Sequence, residues 1–142
     1  MYGTNSPFAS RFARPANVYN RVGLETEVHD ASPHRLIQML WDGLFDTLAR
    51  AEGAIQAGQR DTKALALSKA ARILDEGLKA GLDLERGGPL ALQLRDLYAY
   101  CGLRLTQANL RDDLNALHEV RGLLAPLREA WSQIAPASAA AA

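Results

Sequence analysis

Leucine and alanine recur at spacings of three and four residues through four successive stretches of this chain, and glycine, proline or an acidic turn separates each stretch from the next. That period suits a helix with one buried side. The first stretch opens at Asp30-Ala-Ser-Pro33, where Ser32 can cap free amides and Pro33 fits the first helical position, because its missing N–H would have no partner there. Leu36, Leu40, Leu44, Leu48, Ala51 and Ile55 share one arc bordered by Trp41 and Phe45, while Arg35, Gln38, Asp42, Asp46 and Arg50 oppose it. The second begins at Asp61 and carries Leu67, Ala71, Leu74, Leu78 and Leu82, until Gly87-Gly88-Pro89 stops one helix and starts another. The third carries Leu90, Leu94, Leu97, Cys101, Leu105 and Ala108. The fourth starts with Asp112 or Asp113 as its cap and carries Leu114, Leu117, Val120, Leu124, Leu127, Trp131 and Ile134. Pro126 lies within it and predicts a kink about one turn upstream.

Connections this short do not allow crossovers, and no stretch reads as a strand. The expectation is an all-α, antiparallel up-down four-helix bundle over residues 32–135, with helices at about 33–57, 61–84, 89–109 and 113–134. Residues 1–31 mix glycine, proline and asparagine with scattered aromatics, which predicts a mobile N-terminal arm or short extra helix. The alanine-rich residues 136–142 read as a disordered tail.

Composition narrows the function. Sixteen Lys plus Arg balance sixteen Asp plus Glu, piece by piece along the chain, so the basic excess behind nucleic-acid affinity is missing. The longest uncharged stretch in the helical region is the eight residues from Gly87 to Leu94, followed by the seven from Leu97 to Leu103, too short for membrane insertion, and the N-terminus has no signal-peptide core. A cytoplasmic protein is expected. Its single cysteine cannot form an internal disulfide, and its three histidines lack the His-x-x-x-His and Glu-x-x-His spacings of metal sites. Asp112-Asp113 is explained by a helix start, and Gly87-Gly88 lacks the Lys-Ser/Thr of a phosphate loop. No catalytic residue, metal or cofactor is expected.

The apolar pattern exceeds what a bundle needs. Ala66, Ala70, Ile73, Gly77, Ala80 and Leu84 form a second stripe about 100° from the first on the second helix, and Leu92, Ala99, Leu103 and Leu110 lie about 180° from the core stripe of the third. Alanine favours a helix without burial, but leucines on a wet face predict a cover: a second copy, the arm, or a partner helix laid in a groove. A self-associating helical interaction protein and, less favoured, a histidine phosphotransfer bundle using His34 or His118 are the alternatives.

The blocks Ala31-Ser-Pro-His34, Leu36-Ile-x-Met-Leu-Trp-Asp-Gly43, Ala64-Leu-x-Leu-Ser-Lys-Ala70, Gly77-Leu-Lys-Ala-Gly-Leu-Asp83, Glu85-x-Gly-Gly88, Leu97-Tyr-x-Tyr100, Ala108-Asn109-Leu-Arg-x-Asp113 and Ala130-Trp131, preceded by Tyr19, closely resemble the flagellar secretion chaperone family FliS over about residues 16–135. The resemblance implies a small cytoplasmic chaperone, with no enzymatic activity, that binds the disordered C-terminal segment of flagellin, prevents its premature polymerisation and assists delivery to the flagellar type III export gate. It implies a monomer or weak homodimer, with further flagellar regulators or co-chaperones as additional partners. The two extra stripes become the flagellin groove, and Tyr19 and Val22 in the arm become the cap and export-gate contact. Trp41 in place of the usual Tyr or Phe, and Ala99 where Asp is common, depart from the family pattern.

Overall fold

The computed structural model describes residues 31–134. Four helices account for almost all of them, with no strand among the described residues. Helix α1, Pro33–Ala57, begins where Ser32 Oγ accepts from the Arg35 amide at 3.1 Å and ends where Gly58 turns left-handed at φ 70°. Helix α2, Arg60–Arg72, runs directly into a π-helical segment, Ile73–Lys79. Helix α3, Gly88–Arg111, starts with proline in its first turn and ends at Asp112, which takes a left-handed φ of 52°. Helix α4, Leu114–Gln133, is capped by Asp113, whose Oδ1 accepts from the Ala116 amide at 3.1 Å.

Helix α1 packs against α2, the π segment and α4, and α3 packs against the same three elements, so α1 and α3 occupy opposite corners of the bundle. Leu40, Leu44, Leu48, Ile73, Leu74, Leu105, Leu117, Val120 and Leu124 fill the centre. Two polar clamps fix the ends. Lys63, buried on α2, donates from Nζ to the Asn109 carbonyl at 2.9 Å and to Asp112 Oδ1 at 2.6 Å, holding the turn between α3 and α4 against the start of α2. At the opposite pairing, His34 Nε2 donates to the Trp131 carbonyl at 2.9 Å, Trp131 Nε1 donates to the His34 carbonyl at 3.1 Å, and the two rings stack at 5.0 Å.

Two expectations change. The second helix stops at Lys79 rather than near residue 84, because Asp83 Oδ1 accepts from the Glu85 and Arg86 amides at 3.1 and 3.0 Å and so stabilises a turn in place of another helical turn. Helix α4 holds Pro126 within its span; the proline deprives the Gly122 carbonyl of its helical partner, and both residues lie on the exposed side, where water can serve that carbonyl. Most consequentially, Ala66, Ala70, Ile73 and Gly77 do not form an outer face. All four are buried, because α2 and its π continuation have two neighbours, α1 and α3, and a nonpolar arc of about 200° is what two neighbours consume. At Gly77 the approach is so close that a Cβ would stand 2.9 Å from a Leu40 methyl.

Candidate functional site

The apolar surplus that remains at the surface belongs to α3. Leu92 is 42% exposed, Leu103 55% and Leu110 76%, and Ala99 is exposed with them, so this row lies on the wet side of the helix as its spacing predicts. Tyr100 and, across on α4, Leu123 add further exposed apolar surface. Of the remaining residues predicted for the site, Ala80 is half-buried beyond the end of the π segment, and Leu84 is exposed in the turn that follows rather than on a helix. Tyr19 and Val22 fall outside the described residues.

A polar edge borders the row. Tyr100 donates from its hydroxyl to Glu119 Oε2 at 2.7 Å, Arg104 Nε donates to Glu119 Oε1 at 2.7 Å, and Arg104 also bonds Gln107. Hydrogen bonds from Tyr100 and Arg104 hold the Glu119 carboxyl below its ordinary range, and the bond to Glu119 pushes the Tyr100 hydroxyl upwards. This cluster ties α3 to α4 and fixes the Tyr100 ring beside Leu103, one turn along the same helix.

The groups that could have carried other chemistry are engaged elsewhere. His34 is buried, stacked on Trp131 and bonded through Nε2, and His118 lies 3.3 Å from Glu52 through Nε2. Burial pushes the Cys101 thiol up to about 11, so at neutral pH it is a protonated core side chain. Among the described residues no group of His, Cys, Asp and Glu is arranged to hold a metal ion, and no helix is long and apolar enough to cross a membrane. What the α3 surface offers is exposed apolar area.

Helical periodicity missed several exposed residues. Leu90 reads as core by spacing but is exposed, because the preceding loop folds onto the next position: a Cβ on Gly87 would sit 2.6 Å from the Ala91 Cβ, which turns Ala91 inward. Leu65 on α2 and Leu123 on α4 fit no stripe, and nothing in the local sequence signals their exposure.

Known proteins place this architecture in a lineage. The family profile of flagellar protein FliS matches residues 15–138. The chain is 52% identical over 118 residues to the flagellar secretion chaperone FliS of Salmonella typhimurium, which covers 83% of this chain and 87% of that protein. It is 43% identical over 116 residues to FliSB of Pseudomonas aeruginosa, covering 82% and 91%, and 38% identical over 121 residues to FliS of Escherichia coli, covering 85% and 89%. A match that spans all four helices and both clamps, with that degree of identity, identifies the chain as a member of the FliS family.

Proposed function

We propose that this protein is a cytoplasmic flagellar export chaperone that binds the disordered C-terminal segment of flagellin, keeps it from polymerising, and assists its delivery to the flagellar type III export gate. The observation that carries this reading is the row Leu92, Ala99, Leu103 and Leu110, exposed on a bundle whose core is already complete. Three leucines left partly in water are a standing cost, each worth a fraction of the about 1.5–3 kcal/mol that full burial of such a side chain supplies. Names support the same direction: the relatives in Salmonella typhimurium and Escherichia coli are called flagellar secretion chaperones.

The mechanism follows from surface and entropy. An amphipathic segment laid along α3 would bury its own apolar stripe on these leucines, which removes that stripe from self-assembly. Ordering a disordered client on binding offsets part of the contact energy, so a large interface can still release its cargo. Leu84 and Ala80, past the π segment, are proposed as part of the same surface; Ala66, Ala70, Ile73 and Gly77 are buried and drop out of it. Tyr19 and Val22 in the arm are proposed as the cap and export-gate contact, and other flagellar regulators or co-chaperones as further partners.

Co-expression with flagellin tests the reading. A soluble one-to-one complex that forms with whole flagellin and is lost when flagellin's last few dozen residues are removed is the expected outcome. A stable dimer of this chain alone by light scattering, burying Leu92 and Leu103 and indifferent to flagellin, would assign the row to self-association.

A further inference from the structure

Burial along α4 stops at one point. Ala116, Leu117, Val120 and Leu124 are buried, whereas no residue from Ala125 to Gln133 is, and only Leu127, Arg128 and Trp131 in that stretch are half-buried. The backbone weakens at the same place. Pro126 has no N–H to give the Gly122 carbonyl, so the helical ladder is one bond short where burial ends, and nothing stands within 4 Å of the position a Gly122 Cβ would take.

Polar contacts with one face of α1 hold much of what lies beyond. His34 and Trp131 exchange two side-chain-to-carbonyl bonds beneath their stacked rings, and Arg128 Nη2 donates to Asp42 Oδ1 at 2.9 Å with its guanidinium carbon 4.8 Å from the centre of the Phe45 ring. Leu127 and Trp131 supply the apolar packing of this stretch against the core. Closure also carries a cost: Gln38, which lines the cleft between α1 and this stretch, keeps its Oε1 buried with no hydrogen-bond partner among the described residues, and opening would give that oxygen water. A segment with few buried apolar contacts, joined to the core at a gap in the helical ladder, opens at lower free energy than the core itself. We propose that residues 126–133 form a strap that opens as a unit about residues 122–126, with the His34–Trp131 pair as its latch, while residues 114–124 stay docked. Opening uncovers the strip His34, Gln38, Asp42 and Phe45 of α1, beside the point where the N-terminal residues join that helix. None of these partners belongs to the α3 row, so the strap is independent of what binds there.

Native-state hydrogen exchange of the full chain without a client, followed amide by amide by NMR, tests the strap. The amides from Leu127 to Trp131 should share one opening free energy, lower than that of Leu117 and Val120. Leu117→Ala should speed exchange at Val120 about 30-fold or more and leave the strap amides unchanged, because position 117 keeps its surroundings in the open form. Val120→Ala, a smaller deletion read at Leu117, makes the same comparison if Leu117→Ala does not fold. Trp131→Ala should speed the strap amides about tenfold, through the lost indole bond and ring stack. Three results would overturn the proposal. Exchange rising smoothly towards Gln133 would mean that the helix end merely frays; equal acceleration of strap and core amides in Leu117→Ala would mean a single cooperative unit; unchanged strap exchange in Trp131→Ala would mean that no latch exists.

Discussion

Two apolar stripes meet opposite fates in this bundle. Ala66, Ala70, Ile73 and Gly77 on α2 and its π continuation are buried, while Leu92, Ala99, Leu103 and Leu110 on α3 are exposed. The first stripe is built mostly of small residues and the second of leucines, and that is the reverse of what burial alone would select. Small residues let α1 come close enough for Leu40 to fill the space beside Gly77; large ones on α3 stand at the surface of the bundle. Polarity patterns alone do not separate a core stripe from a surface stripe. The number of neighbouring helices does.

The comparison breaks most sharply at Ile73, which is fully buried. Ile73→Asp places an unpaired carboxylate in the core and should cost about 4 kcal/mol or more, abolishing the cooperative thermal transition seen by circular dichroism. A variant that melts like the parent would mean that the second stripe is a surface after all. Next comes Lys63→Met, which strips the Asn109 carbonyl and Asp112 of their shared donor and should lower stability by about 1–3 kcal/mol in urea titrations. Gly77→Val should cost a similar about 1–3 kcal/mol, since even a single Cβ would press on Leu40; an effect near zero would show the π segment to be loosely packed.

Cysteine chemistry gives a smaller and pH-dependent contrast. Burial raises the Cys101 thiol from 9.0 to about 11, so the folded state keeps its proton where the unfolded chain would lose it. The stability this contributes is fully present below pH 9 and declines as pH rises towards 11. At pH 8, alkylation should be slow in the native protein and fast in denaturant; equal rates would place Cys101 outside the core.

Much of this was legible in the chain. Ser32-Pro33, Gly58, Gly87-Gly88-Pro89 and Asp113 mark helix ends by local chemistry, and local chemistry is what a sequence carries directly. The outward position of Leu92, Leu103 and Leu110 followed from an angle about a helix axis, which spacing also fixes. The inward position of Ala66, Ala70 and Ile73 did not follow, because an angle does not say how many neighbours a helix has. The π segment from Ile73 was hidden for a related reason: a pattern read at 3.6 residues per turn assumes the geometry it is meant to reveal. The clamps of His34 with Trp131 and Lys63 with Asp112 join residues far apart in sequence, and no spacing rule reaches them.

Smallest in stability but largest in function is Leu103→Asp. On an exposed site it should change folding stability by no more than about 0.5 kcal/mol. Calorimetric titration of flagellin's C-terminal segment into the parent and into Leu103→Asp, with thermal melts of both, tests the central claim that the α3 row is the client surface. At least about tenfold weaker binding at an unchanged melting temperature is predicted, corresponding to about 1.4 kcal/mol or more lost at the interface. Equal affinities in the two proteins would contradict the claim.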